Sequence, residues 1–176
     1  NVDLAAQALF VHPNTVRYRV GRVEEQLGHR LADRAAVDGL MQQDISAVVH
    51  LGGMSKEAPW QQILDANIAG TYNIFDAARK AGVGRVIYAS SYHVLGMHPA
   101  TEVPLDIHAE LRPDTLYAVS KLFGENLGRL YHDKFGIGCM SIRICAANPP
   151  NTTRDLKLYV DRDDLVSLVT TALDAP

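Results

Sequence analysis

The sequence predicts an α/β protein in which an incomplete parallel sheet follows a small helix-turn-helix. Strand-like runs alternate with apolar-periodic helical segments from about residue 33 onward, which is typical of a parallel sheet covered by helices. No Gly-x-x-Gly-x-x-Gly or close variant occurs in the 176 residues. The N-terminal half of such a sheet, which carries a glycine-rich turn in nucleotide-binding proteins, is therefore predicted to be missing. Residues 1–32 carry helix signals and no strand signal. We therefore predict a helix-turn-helix segment at 1–32 and a partial α/β domain at 33–176.

The composition restricts the class of protein. With 47% hydrophobic residues the chain can bury a core, and a formal charge of −3 argues against a basic nucleic-acid or membrane surface over the whole molecule. Cys139 and Cys145 are expected to be reduced thiols in a cytoplasmic protein, because no secretory signal or long apolar span is present. The seven histidines show no metal-ligand spacing, so we expect no metal site. The formal charge and the lack of a long apolar span predict no membrane attachment.

Two helices are predicted at the N-terminus. The first begins near Asp3, and the second begins at Asn14, where an asparagine is a good cap. One face of the second helix is apolar because its hydrophobic residues are spaced by three and four positions. These residues are Val16, Val20, Val23 and Leu27.

The opposite face of this second helix carries arginines that could meet DNA phosphates or base edges. The segment up to Arg34 has five arginines against four acidic residues, a small excess that also suits the solvated face of an ordinary helical hairpin. Both interpretations remain open on charge alone. The candidate DNA-binding residues are Asn14, Thr15, Arg17, Arg19 and Arg22.

A resemblance favours the DNA-binding interpretation. Residues 1–30 contain Leu4-Ala-Ala-Gln-Ala-Leu-Phe-Val-His-Pro-Asn-Thr-Val-Arg-Tyr-Arg19 and Val23-Glu-Glu-Gln-Leu-Gly28. These strings resemble the C-terminal helix-turn-helix of the PucR/CdaR family of transcriptional regulators. The resemblance implies a DNA-reading module and makes DNA a possible partner of residues 1–30.

The remaining elements alternate in type along the chain. Short runs rich in β-branched residues are predicted to be buried strands, and the longer apolar-periodic segments between them are predicted to be helices. In chain order these are a short helix at 35–42, a strand at 47–51, a long helix at 60–80, a strand at 86–90, a helix at 117–134, a strand at 139–144 and a helix at 162–173.

A possible catalytic group lies around Tyr117. Ser91 ends a predicted strand 26 residues before Tyr117, and Lys121 follows Tyr117 by four positions. If Tyr117 starts a helix, Lys121 lies one turn later on the same face, where its ammonium is expected to lower the pKa of the phenol. Ser91 would hold a substrate oxygen while Tyr117 takes its proton and hydride leaves the same carbon. This pattern indicates a nicotinamide-dependent oxidoreductase.

Five strings of the chain carry a second resemblance. They are Val48-Val-His-Leu-Gly-Gly-Met-Ser55, Asn67-Ile-Ala-Gly-Thr-Tyr-Asn73, Ala89-Ser-Ser-Tyr-His-Val-Leu-Gly96, Leu111-Arg-Pro-Asp-Thr-Leu-Tyr-Ala-Val-Ser-Lys121 and Phe123-Gly-Glu125. With them, positions 31–176 resemble the extended short-chain dehydrogenase/reductase family, also described as the NAD-dependent epimerase/dehydratase family, and within it the uronate dehydrogenase branch. The resemblance implies an incomplete Rossmann-like sheet, NAD as cofactor, Ser91, Tyr117 and Lys121 as the catalytic trio, and oxidation of a hexuronic acid at C1 to an aldarolactone.

The same resemblance implies further site residues. Arg154 would grip the carboxylate of a sugar acid, to which a guanidinium is well suited. The branch usually has Asn after the catalytic serine, and Tyr92 replaces it here. The implied cofactor contacts are Leu51, Gly52, Gly53, Asn67, Tyr117 and Lys121. The implied substrate contacts are Ser55, Ser91, Tyr92, His93 and Arg154.

Three functions remain open on the sequence. The first is an NAD-dependent sugar-acid dehydrogenase that lacks the glycine-rich cofactor loop, the second is a DNA-binding regulator, and the third is an inactive fusion fragment. The chain begins with Asn1, which suggests a fragment or trimmed product. Without a first strand, the strand at 47–51 is expected to have an open edge, which a second copy would cover in a homo-oligomer.

Overall fold

The computed structural model describes residues 32–41, 45–102, 104–146 and 159–175. The predicted helix-turn-helix, except for its last residue, lies outside these ranges, with its candidate DNA-binding residues Asn14, Thr15, Arg17, Arg19 and Arg22. The predicted substrate contact Arg154 also lies outside them.

The described strands form one parallel sheet. Its strands are β1 (Ala47–His50), β2 (Arg85–Ser91) and β3 (Gly138–Ile144), in the order β1-β2-β3. Val48 lies opposite Val86, and Ser91 lies opposite Ile144, so the carboxyl ends of β2 and β3 meet at one edge. The α/β class and the Rossmann-like parallel sheet predicted from the sequence are confirmed.

The helices agree closely with the predicted ranges. The segment predicted as one helix at 60–80 is helical throughout, but a π-helical turn, Leu64–Ala69, divides it. Short 3₁₀ turns, Tyr92–Leu95 and Ala100–Glu102, follow β2. The α-helices are α1 (Arg34–Leu40), α2 (Trp60–Ile63), α3 (Gly70–Lys80), α4 (Leu116–Phe135) and α5 (Arg162–Asp174).

Local chemistry fixes where α4 begins and ends. The Thr115 hydroxyl accepts a hydrogen bond from the Ala118 N–H at 3.0 Å, which satisfies one of the unpaired donors of the first turn. At the other end Gly136 adopts φ 71°, the left-handed conformation in which glycine terminates a helix. The helix begins at Leu116, one residue before the predicted start, so Tyr117 is its second residue.

Helices cover both faces of the sheet. Val48, Val86 and Tyr88 pack with residues of α1, α3 and α4, including Phe75 and Leu127. The alternate positions Val49, Ile87 and Ile142 pack against Ala172 of α5 on the other face. Since successive strand residues point to opposite faces, strands covered on both sides have continuous apolar runs, as in residues 47–49 of β1 and 86–89 of β2.

The outer edge of β1 has no paired strand within the described ranges. This is the arrangement expected from the sequence when the strand that normally precedes β1 is missing. None of the helices in those ranges has both the length and the apolar character needed to cross a bilayer.

Candidate functional site

Ser91, Tyr117 and Lys121 come together at the carboxyl edge of the sheet. Ser91 is the last residue of β2, while Tyr117 and Lys121 lie on the first two turns of α4, which contacts β2. All three are buried, with 4, 8 and 5% of their surfaces exposed. Ligands of open α/β sheets bind at this edge. The predicted catalytic trio is therefore one cluster of hydroxyls and an ammonium.

Burial controls the acidity of Tyr117. It raises the pKa of the phenol, while a hydrogen bond with Ser91 acts in the opposite direction. The sequence pattern predicts that Lys121 lowers this pKa, but the net shift is upward because the phenol loses more hydration than Ser91 restores. The Lys121 ammonium lies 5.5 Å from the centre of the Tyr117 ring. A ligand that brings positive charge or hydrogen-bond donors to the phenol would be needed to lower its pKa.

Lys121 is a buried cation without a carboxylate partner. Burial lowers its pKa from 10.5 to about 8. Its ammonium lies 5.2 Å from the centre of the Tyr88 ring, and no ion pair joins it to an acidic residue in the described part of the chain. An isolated buried charge is costly and is common at functional sites. The ammonium is therefore available to hydroxyl groups of a bound molecule.

The loop after β1 passes close to Asn67 because it contains two glycines. Gly52 is buried, and Gly53 adopts φ 120°, which side chains rarely allow. A Cβ at Gly53 would lie 2.7 Å from Oδ1 of Asn67, so a larger residue there would displace the loop. Leu51, the third predicted cofactor contact of this loop, is 39% exposed.

Asn67 joins this loop to α4. Its Oδ1 accepts a hydrogen bond from the Met54 N–H at 2.7 Å, and its Nδ2 donates to Met54 O at 3.1 Å and to the Ser120 hydroxyl at 2.9 Å. The Ser120 hydroxyl in turn donates to the carbonyl of Tyr117 at 2.6 Å. Both N–H groups of Asn67 are used, so this side chain acts on a ligand through the two segments that it holds.

Glu57 is a contributor that sequence reasoning missed. Its Oε2 accepts a hydrogen bond from the backbone N–H of Tyr117 at 3.1 Å. A carboxylate suits the N-terminus of a helix, where unpaired N–H groups carry partial positive charge. The contact spans 60 residues of sequence and has no local signal that could have revealed it.

The predicted substrate contacts Tyr92 and His93 follow Ser91 directly. The Ser91 hydroxyl accepts a hydrogen bond from the His93 N–H at 3.3 Å, and the imidazole meets the Tyr117 ring edge to face, with centroids 6.1 Å apart. Tyr92 stacks on the same imidazole at 4.2 Å. Ser55 is exposed in the loop after β1. The structure thus brings Ser91, Tyr92, His93 and Tyr117 together.

A charged network beneath the site joins α4 to β2 and β3. The Ser90 hydroxyl donates to Glu125 of α4, and Arg143 of β3 donates to both oxygens of that carboxylate at 3.0 and 2.9 Å. Ser90 and Arg143 are partners across β2 and β3. These contacts hold α4 against the end of β2, which sets the relative positions of Ser91 and Lys121.

One cavity of the described ranges lies away from the predicted site. This cavity of about 420 Å³ between α4 and β3 includes Arg85, Arg129 and His132 but none of the predicted site residues. No group of three or more His, Cys, Asp or Glu side chains in the described ranges could hold a metal ion.

Comparison with known proteins identifies relatives of similar sequence. The chain is 46% identical over 147 residues to the uronate dehydrogenase of Agrobacterium fabrum and 42% identical over 158 residues to that of Pseudomonas syringae pv. tomato. These matches cover 83 and 89% of this chain, but only 55 and 57% of the two relatives. The chain therefore spans little more than half the length of these curated relatives.

Solved structures show the same similarity. A mutant of uronate dehydrogenase from Agrobacterium tumefaciens, complexed with NAD, superposes with a TM-score of 0.79 at 45% identity and covers 84% of this chain and 56% of that one. A glucuronic acid dehydrogenase from Chromohalobacter salexigens gives the same TM-score at 43% identity, covering 84% of this chain and 55% of its own.

The family assignment comes from a match to a family model. The NAD dependent epimerase/dehydratase model matches residues 11–175, starting inside the segment that the sequence pattern assigns to a helix-turn-helix. The matched range includes β1 to β3 and the Ser91, Tyr117 and Lys121 cluster. The chain belongs to the NAD dependent epimerase/dehydratase family.

Proposed function

We propose that this chain carries the catalytic part of an NAD-dependent uronate dehydrogenase, which oxidises a hexuronic acid at C1 to the aldarolactone. The observation that carries the proposal is the buried cluster of Ser91, Tyr117 and Lys121 at the carboxyl edge of the sheet. Relatives that share 41–46% identity with the chain are uronate dehydrogenases. The chain spans little more than half the length of two of those relatives, so the complete dehydrogenase activity is proposed here for this chain.

The described residues suit the part of NAD that carries the nicotinamide and its ribose. The Lys121 ammonium is buried without a carboxylate partner, so the hydroxyls of a ribose would satisfy it, together with the Tyr117 hydroxyl. Leu51, Gly52 and Gly53 would place backbone beside the dinucleotide, where the two glycines permit close approach. NAD, when bound, supplies the acceptor for hydride. No glycine-rich turn for its pyrophosphate occurs in the sequence.

The protein residues would do the proton chemistry. Ser91 holds the anomeric oxygen of the sugar by a hydrogen bond, and Tyr117 takes the proton of that hydroxyl as the C–H bond at the same carbon is broken. Lys121 stabilises the phenolate that forms. Glu57 and the Asn67–Ser120 contacts keep Tyr117 at a fixed place relative to the loop after β1. Tyr92, His93, Ser55 and Arg154 would contact the remaining sugar groups.

Two measurements test the proposal. Isothermal titration of the purified chain with NAD is expected to show saturable binding, and incubation with NAD and galacturonate or glucuronate is expected to produce NADH. The neutral sugars galactose and glucose are the matched controls, because they differ from the two uronates only in carrying a hydroxymethyl group in place of the carboxylate. Absence of NAD binding would reject the cofactor site, and equal rates with neutral sugars would reject the sugar-acid specificity.

We also propose, from the sequence string around Asn14 and Arg17 alone, that residues 1–32 bind DNA as a helix-turn-helix. The arginines Arg17, Arg19 and Arg22, with Asn14 and Thr15, would face the duplex. Electrophoretic mobility shifts at increasing salt test this proposal. Several phosphate contacts give a steep loss of affinity with salt, and no binding at low salt would reject it.

A further inference from the structure

We propose that Asp114 is a positioning residue, which fixes His93 so that its Nε2 serves as a hydrogen-bond acceptor for a substrate hydroxyl beside Ser91 and Tyr117. The proposal rests on the function proposed above and adds a determinant of its specificity. Nδ1 of His93 lies 2.8 and 3.0 Å from the two oxygens of Asp114. Because an ionised carboxylate can only accept, Nδ1 must carry the hydrogen, and neutral His93 has an unprotonated Nε2.

The carboxylate of Asp114 is itself held in place. The Thr115 hydroxyl donates to its Oδ1 at 3.2 Å. Gly96 leaves room for it, since a Cβ at that position would overlap the carboxyl group of Asp114. The segments that carry the pair are joined by backbone hydrogen bonds, from Arg112 N–H to Val94 O and from Met97 N–H to Arg112 O, both at 3.0 Å. The side chains and the backbone around them therefore hold the His93–Asp114 pair in a defined geometry.

His93 is placed to meet a ligand of the cluster. Its side chain is 34% exposed, and Nε2 has no hydrogen-bond partner among the described residues, although Nδ1 is fully used. The imidazole lies between Tyr92 and Tyr117, and its backbone N–H bonds the Ser91 hydroxyl. An acceptor at this place selects a substrate that presents a hydroxyl next to the reacting carbon, as a sugar does.

The first test needs no activity. Nitrogen NMR of the chain labelled with ¹⁵N-histidine distinguishes the two neutral tautomers, and His93→Gln identifies the signal of His93. At pH about 9, where ordinary imidazoles are neutral, wild-type His93 is expected to be protonated at Nδ1. In Asp114→Ala the signal is expected to move to a mixture of tautomers. A wild-type His93 protonated at Nε2 would overturn the proposal, whether or not the chain turns over a uronate.

The second test measures specificity. Asp114→Ala is expected to raise KM for the uronate about tenfold with kcat changed far less, the size expected for one hydrogen bond that loses its orientation. If Asp114→Ala unfolds, Asp114→Asn keeps the volume, removes the charge and is expected to shift KM in the same direction. Glu102→Gln is the matched control: it removes the carboxylate that contacts Nδ1 of His98 at 2.7 Å, outside the cluster. An unchanged KM in folded Asp114 variants, or an equal KM shift in the control, would contradict the positioning role.

Discussion

Two buried charged side chains of the described ranges differ in whether they have partners of opposite charge. Asp76 of α3 is 8% exposed and is met by three cations, Arg34, Arg79 and Lys80. Lys121 of α4 is 5% exposed and forms no ion pair with a carboxylate of the described ranges. The first charge joins α1 to α3 and is expected to stabilise the fold, whereas an unpaired buried cation is expected to reduce stability and is common at ligand sites. Substitutions at the two places are therefore expected to have opposite effects.

The largest expected effect is on catalysis. Tyr117→Phe removes the proposed base but keeps the ring that contacts His93 and Lys121, so turnover of uronate is expected to fall about 1000-fold or more with the fold intact. Steady-state NADH formation and thermal unfolding measure the two properties. Tyr72→Phe, on the exposed surface of α3, is the control. A Tyr117→Phe variant that retained wild-type turnover would remove Tyr117 from the role of base.

The next effect is a gain of stability. Burial lowers the pKa of Lys121 to about 8 from 10.5, so the folded state binds its proton less tightly than the unfolded state does. The destabilisation is fully present below pH 8 and is relieved as pH rises toward 10.5. Lys121→Met is expected to raise the free energy of unfolding by about 3 kcal/mol at pH 7 while abolishing turnover. Urea unfolding at pH 7 and 10 measures it, with the exposed Lys134→Met as control; no gain at pH 7 would contradict the unpaired charge.

Substitution of Asp76 is expected to lower the free energy of unfolding, in contrast to substitution of Lys121. Burial alone would raise its pKa, but hydrogen bonds from Arg34, Arg79 and Lys80 outweigh burial and hold the pKa at about 2. Stability from this group is present above the ordinary carboxyl pKa of about 4 and is lost as pH falls through about 2. Asp76→Asn is expected to lower the free energy of unfolding by about 2 kcal/mol at pH 7.

Chemical denaturation at pH 7 and at pH 2.5 measures the Asp76 effect, and the difference between wild type and variant is expected to shrink at the lower pH. Asp133→Asn, which removes a carboxylate that is 54% exposed from its pair with Arg129, is the control and is expected to change little. A variant as stable as wild type at pH 7 would show that the three cations do not stabilise the fold through Asp76.

The smallest effect is expected at Glu57. Glu57→Gln keeps an oxygen for the Tyr117 N–H but removes the charge at the start of α4, which is worth about 0.5 kcal/mol. Thermal unfolding measures this loss, and Glu110→Gln in an exposed loop is the control. A decrease in kcat larger than the stability change explains would show that Glu57 also sets the position of Tyr117.

Local pattern predicts most of the fold. The strands and helices between 34 and 174 agree with their predicted ranges to within one or two residues, because their apolar positions repeat with the periods of strand and helix. The cluster of Ser91, Tyr117 and Lys121 follows from spacing in the same way. The roles of Glu57, Asp114 and Asp76 could not be predicted, since each depends on a partner that the fold, and not the local sequence, brings near. The predicted helix-turn-helix and Arg154 contacts stay predictions.

The π-helical turn Leu64–Ala69 changes the directions in which side chains before and after it point, within one continuous helical segment. Each residue advances an α-helix by about 100°, so one additional residue in a turn rotates everything after it by that angle. With the wider turn, Asn67 can face Met54 and Ser120 while Ile74 and Phe75, further along, face the core. The bulge therefore rotates the helix that follows relative to Asn67, and the same continuous helical segment contacts the Met54 loop and α4 at one level and the hydrophobic core at the next.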